Sequence, residues 1–448
     1  MLGSRSLHRQ SMNKPAIAGL FLLALSSSFF SPPLLSSPPQ AKPSTAHPAL
    51  IVEEAQRLAK IGDFPGAIAA YRQALLLAPR DEAAELGLAE AYRGVHNNEQ
   101  ASAAFAAARK HHPKNTSVLK ALGSFEIEAE TYDAAIEALQ AAVELAPVDV
   151  SARNLLGTAY LSKGENEAAL AQFVKALALD PANELARFMR AQTLADSGKN
   201  EDALADAEKA FAAKPDSLRT RMLLAKILIR LKQCPRAAET LHPAENPPTL
   251  DTQALYLLAN AYACAGQADL ARGAREEFTS ASGKERRQAE NEIQSTHLYE
   301  HANELARQNK FPEALELLQQ ALEKNAKNAF AYAQQAKIFF SRHETEKARE
   351  AIARALAIQP YQPDFLYVEG VIAGSQGQDD EALAAFEKVT QINPKEADAY
   401  FEMGRIFAKR KDRAHALAAF RKALELAPDD ADYKRALEAA SSSAAPLP

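Results

Sequence analysis

The sequence predicts an all-α solenoid of about eleven helix pairs, and three observations carry that prediction. Prolines fall at 79, 113, 147, 181 and 215, then at 360, 394 and 428, each 34 residues from the next within its series. A fixed period of this length marks a repeat architecture, in which each unit is one supersecondary element. Placing each proline at position 32 of its unit puts alanine at position 20 every time: Ala67, Ala101, Ala135, Ala169, Ala203, Ala237, Ala271, Ala314, Ala348, Ala382 and Ala416. The composition agrees, with 47% hydrophobic residues, much of that alanine, only 17 glycines and no tryptophan. Alanine loses no side-chain entropy in a helix, so this balance favours helices. A chain of 448 residues is also too long for one compact core, which a repeat array does not need.

The N-terminus comes first. Arg5, Arg9 and Lys14 precede an apolar run from Ile17 to Leu25 that Pro32 and Pro33 close, so residues 1–30 read as an export signal or an uncleaved N-terminal anchor. The run is too short for an obvious membrane span. Residues 31–47, rich in proline and serine, read as a disordered leader. Units one to seven are expected over 48–285, a helical insertion over 286–294, units eight to eleven over 295–430, and a capping helix with a loose tail over 431–448. The insertion is where the register slips by nine residues. The segment from Lys284 to Asn309 has no breaker, so it should be one long helix that changes the path of the superhelix and separates two arrays.

Within each unit, position eight is small (Ala55, Ala89, Gly123 and Gly157 in the first four), which lets the two helices approach closely. Large residues at position 24, such as Phe105, Phe173 and Phe420, fill the space between units. Proline at position 32 ends the second helix, because it has no N–H to donate. The fourth unit reads Leu156, Gly157, Tyr160, Ala169, Phe173, Ala176, Pro181, and the last reads Met403, Gly404, Phe407, Ala416, Phe420, Ala423, Pro428. These residues resemble the tetratricopeptide repeat family, whose pattern is Trp-x2-Leu-Gly-x2-Tyr, then Ala-x3-Phe, then Pro. The resemblance covers residues 48–430 and implies a right-handed α-solenoid that binds proteins. The departures are specific. No unit has the tryptophan, Arg190, His301 and Glu369 replace leucine, and Thr249 and Ala326 replace proline, so units five, eight and ten should pack less well.

Chemistry is scarce. His297-Leu-Tyr-Glu300-His301 satisfies an inverted zinc-peptidase motif, but it falls on a repeat helix and no residues are left for a peptidase scaffold. Ser117-x-x-Lys120 lacks the companion motifs of a serine nucleophile. His111 and His112 sit in a turn before Pro113 and should be solvated. The reading is therefore a protein that is not an enzyme, with no catalytic, cofactor-binding or metal site, no cofactor and no small-molecule substrate. The formal net charge of −5, without a basic patch, argues against nucleic acid. The only cysteines, Cys234 and Cys264, fall at one edge of adjacent helices and could form a disulfide in an oxidising compartment.

In the family, the first helix of each unit faces a concave groove. Positions five and nine would then present Asn154, Phe188 with Gln192, Met222 with Lys226, Tyr256 with Asn260, Tyr299 with Asn303, Lys337, Tyr367, and Phe401 with Arg405. Amides can pair with an extended peptide's backbone while aromatics offer flat apolar contact. The expected function is a periplasmic or secreted scaffold binding proteins or peptides in envelope, secretion, pilus or polysaccharide assembly, touching a membrane only through an uncleaved anchor. The alternative is an accessory subunit of an envelope peptidase or glycosyltransferase.

Overall fold

Alanine-rich helices of 13 or 14 residues alternate with short turns through most of the chain. The structure is a computed structural model that describes residues 47–242 and 249–442, all within one compact unit, Ala46–Pro448. Among the described residues there are 22 helices and no strand. The expected signal, the leader up to residue 46 and the last six residues of the tail lie outside them.

Units one to four are α1 (Pro48–Lys60) with α2 (Phe64–Leu77), α3 (Glu82–Gly94) with α4 (Asn98–His111), α5 (Thr116–Glu128) with α6 (Tyr132–Leu145), and α7 (Val150–Lys163) with α8 (Asn166–Leu179). Units five and six are α9 (Glu184–Asp196) with α10 (Asn200–Ala213), and α11 (Leu218–Arg230) with the short α12 (Cys234–Leu241). Unit seven opens with α13 (Thr252–Cys264), which is followed by α14 (Ala268–Arg307) and α15 (Phe311–Lys324). Units nine to eleven are α16 (Ala329–Ser341) with α17 (Thr345–Ile358), α18 (Pro363–Ser375) with α19 (Asp379–Ile392), and α20 (Ala397–Lys409) with α21 (Arg413–Leu426), before α22 (Ala431–Ser441).

Helix starts follow from capping. Asp81, Asn115, Asp149, Asn183, Ser217 and Asp251 recur every 34 residues, and each accepts a hydrogen bond from the N–H three residues on. The turn inside each unit has its own marker. One left-handed residue follows the first helix all along the chain, glycine at 62, 164, 198, 266 and 377 but His96, Glu130, Lys232, Asn309, His343 and Lys411 elsewhere. In unit one the Asp63 N–H donates to the Leu58 carbonyl across that residue, at 2.9 Å, closing the last turn.

The same logic explains α14. Gly283 stands where most units carry proline, and Glu285 stands where units two to seven carry an Asp, Asn or Ser cap. Glycine costs about 1 kcal/mol in a helix but does not forbid it, so nothing stops the chain. The helix runs unbroken for 40 residues, roughly 60 Å. It therefore begins at Ala268 rather than Lys284, and the nine inserted residues are its middle, not a separate segment. Its two halves pack on α13 and on α15, so the stack continues through it.

The stack closes on itself. Helix α2 packs on α19, and one apolar core holds Ile68, Tyr71 and Phe105 together with Leu383, Phe386 and Val389. Phe64 meets Tyr361 edge-on at 5.8 Å, and the Tyr361 hydroxyl donates to the Gly62 carbonyl. Asn97 Nδ2 donates to the Ile392 carbonyl at 2.7 Å, and Lys395 pairs with Glu99 at 2.6 Å. Units one and two thus touch units nine and ten, and the solenoid meets itself. Helix α22 covers the other end, with Tyr433 stacked 4.7 Å from Phe401.

Two sequence readings change inside the units. Arg190 is not a weak replacement for leucine, because its guanidinium grips Asp206 with two bonds of 2.5 and 2.8 Å across unit five. His111 and His112 are only partly exposed. Both rings turn in on the buried Glu85 carboxylate, at 2.5 and 3.1 Å, because the helix end before Pro113 points them at α3.

Candidate functional site

A cavity of about 770 Å³ opens where α9, α11 and α13 lie side by side and α14 crosses beside them. Each first helix supplies residues one turn apart, which share a face. Phe188 and Gln192 come from α9, Met222 and Lys226 from α11, Thr252 and Tyr256 from α13, and Phe278 and Glu285 from α14. The 34-residue period therefore builds the site three times over.

Its floor is apolar. Phe188 is only 8% exposed and lies under the Arg219 guanidinium, 4.1 Å from the ring centre. Tyr256 is 54% exposed and tilts against Phe278, with centroids 5.7 Å apart. An aromatic ring that open, beside an apolar floor, offers area without paying much side-chain entropy. The rim is polar. Lys226 Nζ pairs with Asp196 at 2.7 Å, Asp251 caps α13 through the Ala254 N–H at 2.8 Å, and the Thr252 hydroxyl donates to Glu285. Cys234 and Cys264 are joined as a disulfide, with Cα atoms 5.6 Å apart, tying the start of α12 to the end of α13.

Five of the groove residues expected from sequence, Phe188, Gln192, Met222, Lys226 and Tyr256, line this one cavity. The others lie away from it. Asn154 is buried, donating from Nδ2 to the Asn183 Oδ1 that caps α9, at 3.0 Å, so it joins two units instead of facing a groove. Lys120 bonds the Asp149 cap in the same way, at 2.8 Å, so near this end of a first helix a polar side chain reaches the next unit's N-terminus. Tyr299 stacks on Phe330, with centroids 6.1 Å apart, and Asn303 beside it keeps a buried carbonyl oxygen without a hydrogen-bond partner. Tyr367 packs on Phe386 at 5.5 Å, and its hydroxyl is pushed well above the usual range, first by burial and then by the nearby Glu402, Asp398 and Glu396. Phe401 sits between Phe420 and Tyr433, while Arg405 pairs with Glu402 at 3.1 Å. Asn260 is half-buried on α13 and Lys337 is exposed on α16. His297 and Glu300 are exposed, 3.5 Å apart, and no group of three or more potential ligands is gathered for a metal among the described residues.

The sequence reading missed Arg219, Phe278 and Glu285. Arg219 precedes positions five and nine of its unit, and the two α14 residues belong to a second helix that would not face the groove in a regular unit.

Models of the tetratricopeptide repeat match residues 58–124, 126–184, 188–248, 299–363 and 397–430, and a TPR repeat model matches 375–411. Together they span well over half of the chain. No curated protein matches. Among solved structures, "YrrB: a TPR protein with an unusual peptide-binding site" is 27% identical over 38% of this chain and 88% of its own, with a TM-score of 0.34. A MamA fragment from Desulfovibrio magneticus RS-1 is 21% identical over 37% and 93%, with a TM-score of 0.35. The APC/C hetero-tetramer Cut9-Hcn1 covers 88% of this chain and 90% of its own at 13% identity, with a TM-score of 0.32.

Proposed function

The chain belongs to the tetratricopeptide repeat family, and from that premise we propose that it is a non-catalytic scaffold that holds an extended segment of a partner protein in the cavity across units five to seven. The observation that carries the reading is the convergence of Phe188, Met222 and Tyr256, one from each of three successive units, on one open cavity with amides and charges at its rim. Repeated first helices present equivalent positions at regular spacing, which suits a ligand without fixed tertiary structure. The partner is a protein or peptide and not nucleic acid, in keeping with the net charge of −5.

The setting we propose is outside the cytoplasm, periplasmic or secreted, where the scaffold serves assembly of an envelope, secretion, pilus or polysaccharide machine. Arg5, Arg9 and Lys14 ahead of an apolar run support export, and the Cys234–Cys264 bridge suits an oxidising compartment.

Affinity capture from envelope extract tests the reading, with the wild-type chain and a Met222→Ala/Tyr256→Ala variant as parallel baits. Circular dichroism melts establish that the variant stays folded. A partner retained by the wild type and lost by the folded variant supports the cavity. Equal retention by both baits refutes it and moves binding to another face.

A further inference from the structure

A second cavity, of about 450 Å³, lies on the neighbouring face of α14. Lys284 and Arg287 of α14 and Lys324 and Lys327 at the end of α15 line it, with Glu292 the only carboxylate among its lining residues. None of the four cations has an ion-pair partner among the described residues, whereas Arg286, on the same helix, is paired with Glu290. Lys324 and Lys327 sit where a helix C-terminus favours cations. Lys284 and Arg287 are in mid-helix and have no such reason to be there. Glu292 Oε1 accepts from Nε2 of Gln288, another lining residue, at 3.0 Å. The cavity therefore keeps a clear positive excess in a chain that is acidic as a whole.

The two cavities adjoin across one helix. Phe278 and Glu285, seven residues apart on α14, face the apolar cavity, while Lys284, Arg287 and Asn291 face the basic one. Lys284 stands roughly 9 Å along the helix axis and a third of a turn round from Phe278, and Arg287 roughly 14 Å along and half a turn round, so an extended chain passing over the helix reaches Lys284 in about four or five residues and Arg287 in about six or seven. The carboxylates at the border are already engaged, Glu285 by Thr252 and Asp251 by the Ala254 N–H.

We propose that the partner segment is an acidic peptide with an apolar anchor, the anchor seated on Phe188, Met222 and Tyr256 and acidic residues about four to seven positions along held by Lys284 and Arg287. This rests on the cavity reading above and names the chemistry of its ligand. Charge complementarity selects the occupant, because a neutral or basic tail would leave those cations unmatched.

Fluorescence anisotropy on the full chain tests it with labelled synthetic peptides. One carries a phenylalanine anchor followed at that spacing by aspartates and glutamates, a second has asparagines and glutamines instead, and a third keeps the acids but replaces the anchor with serine. The acidic anchored peptide should bind most tightly, and Lys284→Glu/Arg287→Glu should weaken it about tenfold while leaving the neutral anchored peptide unchanged. Met222→Ala/Tyr256→Ala should weaken both anchored peptides. Equal binding of the acidic and neutral anchored peptides, or indifference to the charge reversal, overturns the inference but leaves the cavity reading standing. Failure of every anchored peptide overturns both. Tight binding of the anchorless acidic peptide, or displacement by a single-stranded oligonucleotide through the same two cations, also overturns it.

Discussion

Replacing Arg190 by leucine restores the residue usual at its place in the repeat, yet it should destabilise unit five. Asp206 is buried, and both its carboxylate oxygens are held by Arg190 at 2.5 and 2.8 Å. Removing the cation strands a charge away from water, which costs about 3–5 kcal/mol for a buried pair. Arg190 keeps 29% of its side chain exposed, so some water can reach the carboxylate, and about 3 kcal/mol is the value to expect. Hydrogen exchange followed by mass spectrometry reads this locally. Amides of α9 and α10 that exchange through opening of the unit should do so roughly 150-fold faster. Other units equivalent to unit five carry alanine at the Asp206 position, for instance Ala138 and Ala351. The double change Arg190→Leu/Asp206→Ala should therefore recover protection to the wild-type level or beyond. Unchanged exchange in Arg190→Leu would refute the claim that the pair is coupled. A double variant as labile as the single one would show that the arginine stem, and not the charge, holds the unit.

Three other outcomes follow from the same structure. Cys264→Ser opens a loop with a sequence separation of 30, so a loss of about 3–4 kcal/mol is expected, read as a lower denaturant midpoint that added reductant no longer shifts. Tyr361→Ala with Lys395→Glu removes a hydrogen bond, an aromatic contact and an ion pair from the closing contact. Closure should weaken by about 1–3 kcal/mol, and the radius of gyration from small-angle scattering should rise; an unchanged radius would show that the α2–α19 core suffices. Glu369 has its carboxyl raised above the usual range by burial, with Lys388 opposing. Its contribution is full below the ordinary carboxylate pKa and is lost as pH rises through the raised value. Glu369→Gln should therefore melt higher than wild type near neutral pH, with the difference closing as pH falls to about 4.

The repeat was legible because its signals are local and chemical. Alanine at eleven equivalent positions, proline at eight and capping residues ahead of the first helices each act within a few residues, so their period alone specifies the helix pairs. The turn inside each unit was less visible, since six of its eleven left-handed residues are not glycine and the family pattern asks nothing of that position. Of the first-helix residues read as one groove, Phe188, Met222 and Tyr256 share a cavity, whereas Asn154 and Phe401 have their neighbours in the next unit or the capping helix.

What sequence alone determined is thus the all-α repeat, its period and the place where its register slips. Tertiary structure decided what the slip does. Without a proline or cap near Gly283 and Glu285 the helix continues, carries Phe278 into one cavity and Lys284 into its neighbour, and passes the stack onward until α19 reaches α2. A pattern of short-range signals fixes each unit, but small rotations between units add up over the whole stack. Only their sum brings residues nearly three hundred positions apart, such as Gly62 and Tyr361, into contact.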